Sequence, residues 1–318
     1  MKTFKTNFRV LMPQPINATR IRQVMLRLSW ILLFVFAFSC HTESPQPAAT
    51  EADFAEAENV GTFTDTQLNE LSGLIASRTN AGLLWTHNDS GDTNRVFLVN
   101  TQAQRIGQYF VENTKNRDWE DIAASTFSDG TYIYLADTGD NLQEYGSYTI
   151  YRFKEPAQSQ LSNGGSIKNA EAIRFKYPDG NHDAECLLID HETKDLYIVT
   201  KREANSKIYR LRYPQATTGT LTAEYMQELS FNFCTAGDIS ADNQEIILKN
   251  YAQVFYWKRR SGESVLDALK RSPKILLYTV EPQGEALAFS VDNLGYYTTS
   301  EENPAVAIKP RLYFYRRK

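Results

Sequence analysis

From about residue 60 the chain is a succession of short apolar runs cut by clusters of Asp, Asn, Gly, Ser and Thr. Short apolar runs bounded by turn residues predict strands, and no segment carries long helical periodicity. The runs recur in a fixed order. Each unit opens on a small or acidic residue followed by apolar ones: Ser72-Gly-Leu-Ile75, Glu120-Asp-Ile-Ala123, Glu185-Cys-Leu-Leu188, Gly237-Asp-Ile-Ser240 and Glu285-Ala-Leu-Ala288. A second run follows after a polar turn: Leu83-Leu-Trp-Thr86, Tyr132-Ile-Tyr-Leu135, Leu196-Tyr-Ile-Val199, Glu245-Ile-Ile-Leu248 and Gly295-Tyr-Tyr-Thr298. A third alternates aromatic with polar residues, at 95–99, 148–153, 207–211, 254–257 and 311–315.

Units that begin at 72, 120, 185, 237 and 285 have the spacing of a four-stranded propeller blade with loop insertions. The expected fold is therefore all-β, a β-propeller over residues 60–318. Five blades fit best, and six stay open if the long step from 120 to 185 holds a degenerate unit. Fourth strands are faintly marked, with candidates at 171–176 and 274–278. The last unit has none of its own, so Val60–Thr64 is expected to supply it and close the ring, which removes two free sheet edges. Leu266–Lys270 reads as one short helix.

The N-terminal region has a different character. Ile31–Phe38 is a continuous apolar run, too short to span a bilayer as a helix but of the length of a signal-peptide core, with Arg27 before it. Ala37-Phe-Ser-Cys40 is similar to the lipobox of bacterial lipoproteins, in which the cysteine is acylated after cleavage. This resemblance implies a signal peptide over residues 1–39, lipid attachment at Cys40, and a cell-envelope location on a bacterial membrane. The alternative is a plain signal peptide with a chance cysteine. Met25 would give a more compact start. Residues 40–59 are rich in Glu, Ala, Pro, Gln and Thr and read as a flexible tether.

Hydrophobic residues at 42% and charged residues at 23% suit a chain able to bury a core, and a net charge of −4 offers no footprint for nucleic acid. Strands within a blade run antiparallel, so first-strand starts and second-strand ends converge on one mouth of the central channel. That mouth is the default binding site. First-strand starts supply Glu120, Asp121, Glu185, Asp238 and Glu285, and a bound ion or ligand is one reading of so many carboxylates; Ca²⁺ is the hard cation that oxygen ligands suit. Asn88, Asp121, Asp137, Lys201, Lys249 and Glu301 are candidate ligand-binding residues. His87 and Glu120 are the candidates for catalysis, and His182 is a further base. Two loops, His87–Asp92 and Asp137–Asn141, carry carboxylates around a glycine; metal binding and plain Asx-turns are both compatible with them. Lys201 and Lys249 could instead neutralise the carboxylates as a structural network. No nucleophile elbow, Gly-rich phosphate loop or H-E-x-x-H motif is present. Trp85, Trp119, Tyr251 and Tyr297 fit sheet packing better than sugar stacking. Cys186 and Cys234 fall near adjacent first strands, as buried thiols or as a bridge.

The motifs Leu71-Ser-Gly-Leu, Leu84-Trp-Thr-His-Asn-Asp-Ser-Gly, Asp118-Trp-Glu-Asp-Ile-Ala, Ala136-Asp-Thr-Gly-Asp-Asn and Gln283-Gly-Glu-Ala-Leu-Ala carry a further resemblance. The chain resembles uncharacterised secreted bacterial propeller proteins. More distantly it is similar to phytase-like esterase propellers and to calcium-dependent phosphotriesterase or gluconolactonase-type propellers. The resemblance implies an axial divalent cation at Glu120, Glu185, Asp238 and Glu285. The expected function is binding of a small molecule, glycan or protein at the polar face. The alternative is metal-dependent hydrolysis of ester, lactone or phosphoester bonds there.

Overall fold

The computed structural model describes residues 54–160, 164–303, 305 and 308–318. Cys40, the signal segment and the tether as far as residue 53 lie outside the described residues. The first strand, β1 (Glu58–Thr62), is completed by the end of the chain and belongs to the last of five sheets. Blade 1 contains β2 (Leu71–Ala76), β3 (Leu83–Asn88), β4 (Arg95–Asn100) and β5 (Arg105–Val111). Blade 2 contains β6 (Trp119–Phe127), β7 (Gly130–Asp137), β8 (Tyr148–Lys154) and, after β9 (Gly164–Ile167), β10 (Glu171–Lys176). Blade 3 contains β11 (Ala184–Ile189), β12 (Leu196–Thr200), β13 (Lys207–Leu211) and, after β14 (Thr220–Thr222), β15 (Glu224–Glu228). Blade 4 contains β16 (Ala236–Ile239), β17 (Glu245–Lys249), β18 (Val254–Lys258) and β19 (Lys274–Leu276). In blade 5, β20 (Ala286–Phe289), β21 (Gly295–Thr299) and β22 (Arg311–Arg316) are closed by β1, antiparallel to β22. The inner strands β2, β6, β11, β16 and β20 pack side by side in a closed ring. The fold is a five-bladed β-propeller.

The long step from 120 to 185 hides no sixth blade. Its extra residues carry β9, which crosses to pair parallel with β5 on blade 1. In the same way β14 pairs parallel with β10 on blade 2, so two blades gain a fifth edge strand. These two strands are absent from the sequence-based reading, as are β5 and β15. The helix α1 (Val265–Lys270) follows blade 4's third strand, with Ser264 as its N-cap accepting from the Asp267 N–H.

Inner and second strands are buried on both sides because each sheet is covered by a neighbour on each face. Consecutive residues such as Leu84-Trp85-Thr86 or Ile246-Ile247-Leu248 are therefore all enclosed, which is why these strands read as continuous apolar runs. The apolar side chains gather in five clusters among the described residues, one in each seam between blades. Trp85 and Trp119 are fully buried in the seam between blades 1 and 2, as packing residues.

The folded unit reaches further upstream than the expected start at Val60. Phe54, read as tether, is 1% exposed and sits edge-on to Tyr256 and Tyr296, with centroids 5.7 and 5.1 Å away. Arg317 caps its ring at 4.7 Å and pairs with Glu245. An aromatic side chain in an otherwise polar segment is what allows this docking. The chain thus joins the propeller at the seam of blades 4 and 5, at the end where β22 finishes. We call this the lower face; the inner strands begin at the upper one. Phe54→Ala should lower unfolding free energy by about 3–5 kcal/mol in denaturant titration. A loss under about 1 kcal/mol would show that the segment does not lock the seam.

Candidate functional site

Inner strands that all start at the upper face bring their first residues together there. Glu120, Glu185 and Glu285 stand at these starts and are 2%, 3% and 4% exposed. Asp118 and Asp183 stand two residues before Glu120 and Glu185, on the same side of the chain, and join them. Three groups form in which ligand oxygens lie within 4.8 Å of one another: Asp89, Asp118 and Glu120; Glu120, Asp183 and Glu185; Asp89, Glu285 and Glu301. Because these groups share members, seven carboxyl groups make one continuous lining. Gly139 permits the approach. A Cβ at Gly139 would lie 2.1 Å from Glu120 Oε1 and 2.5 Å from the Asp118 carboxyl.

One ammonium lies inside this lining. Lys201 donates to Glu185 Oε1 and, at 3.2 Å, to Glu285 Oε1, and stands 5.1 Å from the centre of the Tyr251 ring. Tyr251 donates its own hydroxyl to Glu285. Burial works against the lysine's charge, yet Glu185 and Glu285 hold its pKa above the usual value. At the edge, Arg202 pairs with Asp183 at 2.5 Å. Glu185 Oε2 is buried without a partner.

The carboxyl groups outnumber their counter-charges, and the pKa values of Asp89, Asp118, Glu120, Glu185 and Glu301 rise. Burial, then Glu185, Asp89, Asp118 and Glu285, pushes Glu120 well above the carboxylate range. Burial and Glu285 raise Glu185, against the pull of Lys201. Asp89 is raised to about 7 by burial and by Asp118 and Glu285, and it shares a hydrogen bond with Asp118. Glu301 is raised to about 8 by burial and by Glu285, to which it is hydrogen-bonded. Near neutral pH a proton on Asp89, and one on Glu301, would relieve their repulsion with Asp118 and Glu285.

The other sequence-predicted residues have different positions. Asp121 and Asp238 do not join the lining. Asp121 accepts the Ile122 and Leu187 N–H groups, each at 2.8 Å. Asp238 accepts Ile239 N–H at 2.8 Å and Phe289 N–H at 2.9 Å. Each carboxylate ties one inner strand to the next, across a seam where the backbones splay apart. Lys249 is fully buried below the mouth and donates to the Gly284 carbonyl; burial lowers its pKa to about 8, against Glu281 and Glu285. Lys201 therefore converges on the inner-strand glutamates, and Lys249 does not bond them. Asn88 bonds Gln67 O and Asp92 at 2.7 and 2.8 Å, and Asp137 accepts the Arg117 and Asp118 N–H groups. Both loops are organised by such side-chain-to-backbone bonds, with Asp89 alone of the first loop reaching the lining.

His87 is fully buried between Gly73, whose φ of +72° tolerates no side chain there, and the Trp119 ring. Its Nδ1 bonds the Asn88 carbonyl at 3.0 Å, and burial lowers its pKa to about 4. It is a neutral packing residue, enclosed away from the mouth. His182 lies outside the lining, held by Glu203 at 2.5 Å and Asp179 at 3.1 Å. Sequence reasoning left out Asp118 and Asp183 as site residues. The spacing Asp-x-Glu, repeated at 118–120 and 183–185 and echoed by Gln283-Gly-Glu285, is the signal that finds them.

No protein-family model matches the sequence, and no curated protein matches it. Among solved structures, the chain is 12% identical to a luciferin-regenerating enzyme, covering 81% of this chain and 93% of that one at a TM-score of 0.44. It is 12% identical to a chain of a nidogen/laminin complex, covering 77% and 84% at a TM-score of 0.44. It is also 12% identical to the RRP9 WD40 repeats, covering 78% and 67% at 0.39. These distant likenesses add nothing to what the sheet order already establishes.

The raised carboxyl groups set a pH dependence. Their folded pKa values exceed their unfolded ones, so the stability they contribute is complete below the ordinary carboxyl range and is lost as pH rises through about 7 for Asp89 and about 8 for Glu301. In chelator, unfolding free energy should fall from about pH 5 to pH 8, and Glu301→Gln should make that fall shallower. A profile in Glu301→Gln identical to that of the wild type would contradict the assignment.

Proposed function

We propose that the protein is a membrane-anchored binding propeller whose upper mouth takes a ligand through a divalent cation such as Ca²⁺. The observation that carries this reading is the excess of carboxyl oxygens around Glu120, which belongs to two of the three groups, with the buried Glu185 Oε2 left unpartnered among them. A hard cation coordinated by several carboxylates would replace those protons and relieve the repulsion. Glu120, Glu185, Asp118, Asp89 and Asp183 would supply the oxygens, while Lys201 keeps Glu285 and one Glu185 oxygen occupied. Binding is preferred to hydrolysis because His87, the histidine proposed as general base, is enclosed with its pKa lowered to about 4. Lipid on Cys40 would tether the chain upstream of Phe54, which joins the lower face.

Calorimetry of the full chain with CaCl₂ at pH 7.5 should show saturable binding, and Glu120→Gln should weaken it at least about tenfold, or about 1.4 kcal/mol. No heat and no shift in melting temperature at millimolar Ca²⁺ would sink the cation reading. An ester, lactone and phosphoester screen with and without chelator covers the hydrolase alternative. For the anchor, Cys40→Ser should move the protein from the membrane fraction to the soluble fraction of the producing bacterium. Unchanged fractionation and unchanged mass would remove the lipid.

A further inference from the structure

Two buried thiols meet in the seam between blades 3 and 4. Cys186 lies on the inner strand β11, and Cys234 stands two residues before the inner strand β16. Both are free, 1% and 0% exposed, and belong to one apolar cluster. Burial, together with Cys234, raises the pKa of the Cys186 thiol, as a neighbouring thiol in the same seam does. Cys234 Sγ lies 3.9 Å from the Ala236 carbonyl oxygen, and Cys186 Sγ would stand 2.7 Å from a Cβ on Gly237. The sulfurs therefore flank the same Ala236–Gly237 peptide, and the missing side chain of Gly237 is what lets Cys186 approach it.

We propose that Cys186 and Cys234 are a disulfide site that clamps blade 3 to blade 4 when the chain folds in the presence of a thiol-oxidising disulfide. Sulfurs that flank one peptide in one seam can reach bonding distance by side-chain rotation and a small closure of the two strands. The reaction is thiol–disulfide exchange with a low-molecular-weight disulfide, such as oxidised glutathione. One protein thiolate attacks it, forming a mixed disulfide and releasing one small thiol. The second protein thiol then displaces the other, forming the Cys186–Cys234 bond. Two protein thiols are oxidised, and one small disulfide is reduced to two thiols that carry the protons. Burial of both sulfurs in the finished seam keeps the reagent out, so exchange belongs to folding, before the seam closes. The bond would lie directly under the mouth: Glu185 precedes Cys186, and the Phe233 N–H, next to Cys234, bonds the Lys201 carbonyl at 3.0 Å.

The test is to refold the full chain from denaturant with oxidised and reduced glutathione, block free thiols, digest without reduction and map the peptides by mass. The site predicts that peptides carrying Cys186 and Cys234 are recovered joined, distinct from any product of Cys40. The oxidised protein should melt about 5 °C or more above the reduced one, a difference that vanishes in both Cys186→Ala and Cys234→Ser. Recovery of the two cysteines as free thiols, or as separate glutathione adducts in natively folded protein, would overturn the proposal. So would a joined pair found only in chains that fail to regain native circular dichroism.

Discussion

Five strands that begin at one end of a common axis bring their first residues within reach of one another, whatever those residues are. In this chain three are glutamates, and aspartates two positions earlier add to them. Two unit charges 4.8 Å apart repel by about 3 to 4 kcal/mol at an effective dielectric near 20. Seven such groups cannot all be ionised without counter-charge. Lys201 neutralises one side of the ring, the raised pKa values of Asp89 and Glu301 favour their protonated forms, and Glu120 sits where both runs of acid meet. The geometry that makes a propeller thus also crowds carboxyl groups at the mouth, and the proposed cation would relieve that crowding.

The same geometry sets what holds the blades. Inner strands diverge from the axis and cannot share a full backbone ladder, so Asp121 and Asp238 reach across to neighbouring N–H groups. Further out the seams are apolar. Closure through β1, with Phe54 locked between Tyr256 and Tyr296, leaves the ring without an unpaired join. Rigid seams matter for the mouth because its oxygens come from blades 1, 2, 3 and 5, and their spacing is only as fixed as the blades are.

The first two strands of every blade were legible in the sequence because burial on both faces demands continuous apolar runs, and the third was legible by its alternation of aromatic and polar residues. Outer strands were legible only in part: β10, β19 and the closing β1 fall on the expected segments, while others went unmarked. Those at β5 and β15 mix exposed and half-buried residues, as in Glu224-Tyr-Met-Gln-Glu228, and carry no clean pattern. The edge strands β9 and β14 owe their pairing to parallel neighbours distant in the chain, which no local pattern reveals. Strand starts put Glu120, Glu185 and Glu285 at one mouth, and the structure brings them there together with further carboxyl groups. Adjacent residues were misplaced because successive strand residues face opposite ways, which turns Asp121 and Asp238 to the next blade's backbone. Asp118 and Asp183 precede their strands and read as turn residues, and only the Asp-x-Glu spacing puts them beside the glutamates. His87 resembled a base beside Asn and Asp; its burial comes from Gly73 and Trp119, brought against it by the neighbouring strand and blade.

The most direct measurement is a carbon-13 NMR titration of the side-chain carboxyl groups in cation-free protein. A ring short of counter-charge predicts that Asp89 and Glu301 titrate near about 7 and about 8, with Glu120 higher than an ordinary glutamate. Ordinary titration of all three, near pH 4, would contradict the account, because the mouth would then carry its charges without needing a cation.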